Sequence, residues 1–425
     1  MKRSISLGGS ENNDFHLVVI GGGAAGYFAA IRAAEIGDPS EPVLILEKAP
    51  QVLGKVRISG GGRCNVTHAC FDPRTFATHY PRGEKALIGP LHRWDAQKTI
   101  DWFEDHGVQT KTEKDGRIFP TTDNSQTIID CLCDTAEQLG IETRTRTNVS
   151  EISHDADAPY PFSIQCTGGS TIRSKNLLIA TGGTRCVASE SLLQFTGHKI
   201  HPAVPSLFTF NIPKNSLSEL AGISVKHASV TIPEAKLNSH GPLLITHWGL
   251  SGPAILKLSA RGARKLHSVE YTFTAFVNWL PNEDLEISFS QLRTSAGKRS
   301  LISRSPFPEL PKRLWEKLIE RGEIDGATTW SQISKKQLTR LREMLTHCAF
   351  DVSGKSMNKE EFVTCGGVEL NKVSLKTMES RRIPGLYFAG EVLNIDGITG
   401  GFNFQNAWTT GYLAGSAIGE TSGQF

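Results

Sequence analysis

The residues best suited to chemistry are glycines set beside a few polar and charged side chains. Gly21-x-Gly23-x-x-Gly26 follows the apolar run Phe15 to Ile20 and opens a small-residue stretch, and Glu47 closes the next apolar run. Each residue type has a task in dinucleotide binding. Gly21 permits the tight turn, Gly23 lets the backbone reach a pyrophosphate, and Gly26 lets helix and strand pack closely; the helix N-terminus then stabilises phosphate charge. Glu47 would accept hydrogen bonds from both hydroxyls of an adenosine ribose. An acid there disfavours a 2′-phosphate, so FAD or NAD is expected, not NADP. The competing reading, a structural turn with no ligand, ranks well below because strand, turn, helix and acid all agree.

Three more clusters repeat the pattern. Gly54 to Thr67 (GKVRISGGGRCNVT) places three glycines between Ser59 and Arg63, Cys64 and Asn65. Such a loop makes a poor core and a good wall for a flat polar ligand, with amides for phosphate or a flavin carbonyl. Thr181-Gly182-Gly183 ends the run LLIATGG, and Gly390-Glu391 ends GLYFAGE, before the turn Asp396 to Asn406 opens a last helix. Four clusters from distant parts of the chain describe an extended dinucleotide lying across a sheet.

Other candidates have plainer readings. Cys64 could be redox-active, but Cys70 does not give the partner spacing of a disulfide reductase, so a buried thiol is favoured. Cys131 and Cys133 would point to different helix faces and are read as structural, as is Cys365. His247, in HWGLSGP, is the candidate acid or base, ranked below a structural role. His198 and His201 lack a completing ligand set, so no metal is assigned.

The elements that must position these residues are legible as texture. Phe15–Ile20 reads as a buried strand, 24–36 as a helix and VLILEK from Val43 as a second strand, together a right-handed parallel βαβ unit. Segments 94–108 and 125–139 read as helices. The expected fold class is α/β: a Rossmann-like FAD/NAD(P)-binding domain (15–190 and 365–425) after a disordered leader (1–14). A small β-barrel-like domain (191–282 and 347–364) is inserted into it, and a helical insert (283–346) into that. In the helical insert Trp315 and Leu318 read as packing, and its 12 basic against nine acidic residues as a solvated face.

Composition narrows the classes. The 425 residues carry 46 Lys and Arg against 43 Asp and Glu, a balance that argues against a dedicated nucleic-acid binder without excluding a local basic groove. Eight cysteines without C-x-x-C spacing point to reduced thiols. The N-terminus is polar and no stretch approaches the ~18 apolar residues of a membrane span. A soluble cytoplasmic protein is expected, with no membrane partner; the sequence leaves its oligomeric state open.

VVIGGGAAG (18–26), ISGGGRCNVT (58–67), GRIFP (116–120), ATGG (180–183), HWGLSGPAIL (247–256), CGGV (365–368) and LYFAGEVLNIDGITGGFNFQNAW (386–408) occur in the order of a known family. The chain resembles the aminoacetone-oxidase-like family of bacterial FAD-binding oxidoreductases over nearly its whole length, and more distantly fumarate-reductase-type flavoproteins. The resemblance implies the three-part fold above. It also implies that Gly21, Gly23, Ala25, Gly26, Glu47 and Lys48 hold the ADP half of FAD, and that Ser59, Gly60, Gly61, Arg63, Cys64 and Asn65 line pyrophosphate and flavin. Val149 would meet adenine through its backbone, near Thr181 and Gly182. Gly390 and Glu391 would face the ribityl chain, and Gly401, Phe402 and Asn403 the isoalloxazine. Two departures are Glu391, where wider relatives have Asp, and Trp248, where relatives often have Arg or Phe.

The function expected is an FAD-dependent oxidoreductase that moves a hydride between non-covalently bound flavin and a small organic substrate. Transient NAD(P)H binding stays open. The alternatives are a flavin-dependent tRNA-modifying enzyme and an FAD-binding sensor or partner protein without turnover.

Overall fold

Small residues decide how the nucleotide-binding half packs. The helix α1 (Ala24–Ile36) and the last helix (Phe402–Ser422) meet along Gly411, Gly415 and Gly419, spaced one turn apart. A Cβ on Gly415 would sit 2.4 Å from the Ala29 carbonyl oxygen, and one on Gly411 2.8 Å from that of Ala25. Only glycine allows two helix backbones to approach so closely, and the contact fixes the chain's last segment against its first.

The computed structural model describes residues 13–183, 187–213, 217–356 and 363–422. Most of the expected leader, residues 1–12, and Cys186 lie outside them. The chain divides into two compact units, Met1–Ala203 with Thr364–Phe425, and Val204–Val363.

In the first unit β1 (Asp14–Ile20) lies between β2 (Val43–Leu46) and the strand Thr171–Ile179, all parallel, with Leu17 opposite both Val43 and Asn176. Glu142–Arg144 extends the sheet beyond β2, and Leu386–Phe388 pairs in parallel with Thr171–Ile179. Phe162–Cys166 and Val149–His154 continue it as an antiparallel meander. Leu17, Val18 and Val19 are completely buried, which is why this strand is apolar without alternation. The expected leader ended at residue 14, but Asp14 already pairs within the sheet, opposite Arg173.

The second unit is an antiparallel seven-stranded sheet. Its order is Cys348–Ser353, Thr272–Asn278, Ser224–Ile232, Leu237–Thr246, Gly249–Ser251, Thr209–Asn211, Lys355–Ser356. The two edges are successive pieces of one stretch joined by Gly354. Its N–H donates to the Tyr271 carbonyl (3.0 Å) and its carbonyl accepts from the Asn211 N–H (3.1 Å). With φ at +98°, Gly354 lets the sheet curl back on itself, the barrel-like closure expected from the sequence.

The helix Pro253–Ser268 fills one face, and its Ile255 and Leu258 share a core with Trp279, Trp315 and Trp330. The segment 283–346 is therefore not a separate body, because its tryptophans complete the barrel's core. The unit also begins at Val204, later than the texture change at 191, since Lys199 pairs with Glu369 and Gly366 packs on the Pro202 carbonyl within the first unit. Among the described residues, no helix is long and apolar enough to cross a membrane.

Candidate functional site

The turn after β1 is built so that backbone replaces side chains. Gly21 has φ at +115°, and a Cβ there would lie 2.3 Å from the Ala180 carbonyl oxygen; one on Gly26 would lie 2.0 Å from the Gly21 carbonyl oxygen. Gly23, the N-cap of α1, is the opposite case: a Cβ there would meet nothing within 4 Å. The turn is thus tight on its protein side and open where the helix N-terminus faces outward, as a bound pyrophosphate requires.

Glu47, at the end of β2, holds this turn. Its Oε2 accepts from the Gly22 N–H at 2.9 Å and its Oε1 from the Ala49 N–H at 2.7 Å. The carboxylate keeps lone pairs for further donors. Lys48 is exposed. The Glu47 carbonyl accepts from the Thr147 N–H, which brings Val149, the buried first residue of its strand, beside this end of the sheet.

The second cluster is not the plain loop the sequence suggested. Residues from Gly54 are helical until Ser59, where ψ turns to 150°, and Gly60 and Gly61 are then left-handed. Three glycines masked the helix because they carry no helical propensity. A Cβ on Gly61 would meet nothing within 4 Å, whereas one on Gly60 would strike Phe119 at 2.9 Å. Ser59 is buried, its Oγ donating to the Val56 carbonyl. Arg63 pairs with Glu113 at 2.6 Å and Asp123 at 3.4 Å, its guanidinium 4.0 Å over the Phe119 ring, so its charge is used to fasten this segment. Cys64 is fully buried at φ +62°, and burial pushes its thiol up to about 12 although Ser59 pulls the other way. A thiol so protonated is no nucleophile at neutral pH, which agrees with the reading of Cys64 as a buried structural residue.

The remaining clusters dock onto these two. Oriented to satisfy its neighbours, the Asn65 amide accepts from the Gly401 N–H at 2.9 Å and donates to the Thr67 carbonyl. Thr67 Oγ1 donates to Gln405 Oε1 at 2.7 Å, and Trp408 Nε1 donates to the Val66 carbonyl. Gly182, after Thr181, has φ at +74°, with Glu391 Oε2 3.8 Å from where its Cβ would lie. Gly390 packs beside Ala25, its N–H donating to Thr410 Oγ1 at 2.8 Å. Glu391 accepts from the Thr364 N–H at 2.9 Å and from Lys55 Nζ.

Asn403 grips Gly397, accepting from its N–H at 2.8 Å and donating to its carbonyl at 3.0 Å. Its side chain therefore shapes the glycine turn. What it presents outward with Phe402 is backbone in the first turn of the last helix, where N–H groups lack intrahelical acceptors. Phe402 itself is buried. Asp396, with no exposed surface, is held by Arg82 and anchors the same turn.

The structure also gathers residues that sequence reasoning passed over. The His79 ring stacks on Phe402 at 4.2 Å and His68 at 4.8 Å; His68 Nδ1 lies 3.0 Å from the Gly400 carbonyl and so carries the proton there. His68 directly follows ISGGGRCNVT, and that position was the available signal. His247, by contrast, is an exposed turn residue of the second unit beside the half-exposed Trp248. His198 is buried and bonded to Ser380 Oγ at 2.9 Å, and His201 pairs with Glu369 at 3.3 Å.

The open spaces at Gly23 and Gly61, the fixed carboxylate of Glu47 and the outward helix N-termini fit FAD. Those residues would hold its pyrophosphate and adenosine. Comparison with known proteins points the same way. Residues 15–417 match the family described as the HI0933-like protein Rossmann domain. The chain is 32% identical over 407 residues to the ribosomal RNA dihydrouridine synthase of Escherichia coli K12, covering 94% of this chain and 96% of that one. It is 28% identical to the 3-dehydro-bile acid delta(4,6)-reductase of Clostridium scindens, covering 95% and 98%. In fold it resembles the 3-ketosteroid-delta4-(5alpha)-dehydrogenase of Rhodococcus jostii RHA1, at TM-score 0.52 and 15% identity, covering 98% of this chain and 99% of that one. The chain belongs to the HI0933-like family and has the fold of an FAD-binding oxidoreductase.

Proposed function

We propose that this protein is an FAD-dependent reductase that adds two hydrogens across a carbonyl-conjugated C=C bond, and that its substrate is a uracil ring in ribosomal RNA. The observation that carries the proposal is the end-to-end likeness to a ribosomal RNA dihydrouridine synthase, combined with a cradle built for an extended dinucleotide. The second relative's name describes related chemistry. A 3-keto steroid unsaturated at positions 4 and 6 presents a C=C bond conjugated to a carbonyl, as the C5=C6 bond of uracil is conjugated to C4=O. In uracil, hydride is accepted at C6, the carbon β to C4=O, and a proton at C5; in the dienone the electrophilic carbons are those β and, through the second double bond, δ to the carbonyl.

FAD, when bound, supplies the two-electron carrier for that reduction. The chain's own residues do the rest. The amides of Ala24 to Gly26, in the first turn of α1 behind the turn that Glu47 fixes, would bind the pyrophosphate end. Asn65, Asn403 and the Arg82–Asp396 pair hold the Gly397–Gly401 turn against the segment that follows α2 (Gly54–Gly62), so that its backbone donors would meet a bound flavin without reorganising. A nicotinamide dinucleotide is the proposed external reductant.

The test uses ribosomal RNA from a strain lacking this gene, the FAD-loaded protein and NADH or NADPH. Dihydrouridine at a defined site by mass spectrometry is expected. Nicotinamide oxidation driven by small enones but never by RNA would replace the RNA reading with a small-molecule reductase.

A further inference from the structure

The charges of the first unit are unevenly placed. Met1–Ala203 with Thr364–Phe425 carries 25 Lys and Arg against 28 Asp and Glu, yet residues 372–382 hold four Lys and Arg against Glu379 alone. That segment is a hairpin: Val373 bridges Ser380, and the Arg381 N–H donates to the Lys372 carbonyl at 2.8 Å. Its tip is fastened to the end of the helix Glu84–Arg93, where Arg93 donates to the Lys376 carbonyl. Lys98 Nζ in turn donates to the Arg93 carbonyl at 2.7 Å. Arg74 belongs to the short helix Pro73–Ala77, which packs on the helix Glu84–Arg93.

Arg74, Arg93, Lys98, Lys372, Lys376 and Arg381 are all exposed. Three acids lie among them, each held to backbone, Asp72 at the Thr75 N–H, Asp95 at the Lys98 N–H and Glu379 at the Gly385 N–H, so the six bases outnumber them two to one. The result is a ridge of net positive charge carried on three linked elements. Like charges brought together on a surface repel, and a folded protein gains nothing by gathering them. A polyanion threaded along them would reverse the sign of that energy.

We infer that this ridge binds the sugar-phosphate backbone of the structured RNA whose uridine is reduced. The inference rests on the proposed RNA substrate. Long, flexible basic side chains without a pocket suit phosphates, which position a nucleic acid without reading its bases. The ridge therefore contributes affinity and orientation, and recognition of the uridine itself falls elsewhere.

The test compares FAD-loaded wild type with the triple variant Arg74→Glu, Lys372→Glu, Lys376→Glu, using fluorescence anisotropy on a ribosomal RNA fragment over a salt series. A triple Gln variant serves as a second form should charge reversal disturb folding. Each lost phosphate contact lowers the slope of log affinity against log salt by about 0.7–0.9, so a decrease of roughly two is expected, with weaker binding at low salt. Bound FAD and its photoreduction spectrum should match wild type. If wild type binds RNA and both variants bind equally with the same slope, the ridge is not the contact and the proposed function stands. If wild type neither binds nor reduces RNA, the proposed function itself fails. Loss of binding to phosphatidylglycerol vesicles with RNA affinity intact would assign the ridge to a membrane and overturn the inference.

Discussion

Replacing Glu47 with Gln separates its two roles. In the structure one carboxylate oxygen serves the Gly22 N–H and the other the Ala49 N–H. A Gln side chain has one carbonyl oxygen, so one of these amides would face an NH2 group, donor against donor. Losing a hydrogen bond to a charged group costs about 1.5–3 kcal/mol. The apoprotein should therefore lose stability of that order, because Gly22 lies in the turn that joins β1 to α1. FAD adds a second loss, since the adenosine ribose would meet a weaker acceptor. Affinity for FAD should fall about tenfold to a hundredfold. FMN has no adenosine, and its residual binding should not change. Titration of both flavins into apo wild type and apo Glu47→Gln, with thermal melts of each, reads all three effects. Equal FAD affinity in the two proteins would refute the placement of the ribose at Glu47.

Four further outcomes are expected. Gly23→Val should leave the apoprotein's melting temperature near wild type, because a side chain there meets only open space, yet abolish FAD retention. Gly415→Val should do the reverse, lowering the apo melting temperature by forcing α1 from the last helix; melts and flavin content of both variants check the pair. Cys64→Ser should preserve photoreduction of bound flavin, measured by visible absorbance, since a thiol held up at about 12 has no thiolate to contribute. His198 is held below its ordinary 6.5 by burial first and Arg382 second, so on acidification the unfolded chain takes the proton before the folded one. Stability present above that value is then lost as pH falls toward the lower folded value, and His198→Gln should flatten the decline in melting temperature as pH is lowered through and below 6.5.

What could be read from the sequence was local. β1, α1 and Glu47 follow from an apolar run, spaced glycines and an acid, each of which acts within one βαβ unit. The helical start of Gly54–Gly62 was hidden because its glycines end it within two turns, and left-handed Gly60 depends on Phe119 and Asn65 closing on it. The strands of the second unit were visible as β texture. Their closure through Gly354 was not, since it joins Tyr271 and Asn211 from distant segments. Asn403 could be placed at the glycine turn, but only the fold shows its amide committed to Gly397. His68 and His79 meet Phe402 across more than 300 residues of chain, and no spacing rule reaches so far. The even overall charge likewise concealed the ridge at 372–382, because acids elsewhere in the same unit offset it.

The central claim is that bound flavin delivers its electrons to a uracil ring in RNA. A single anaerobic turnover tests it most directly. The FAD-loaded protein is photoreduced, mixed without oxygen with ribosomal RNA from a strain lacking this gene, and followed by flavin absorbance while the RNA is digested and weighed. The account predicts reoxidation in step with one dihydrouridine formed per flavin, and none when that uridine is already reduced. Flavin that stays reduced beside the RNA, yet reoxidises at once with a carbonyl-conjugated alkene, would contradict it.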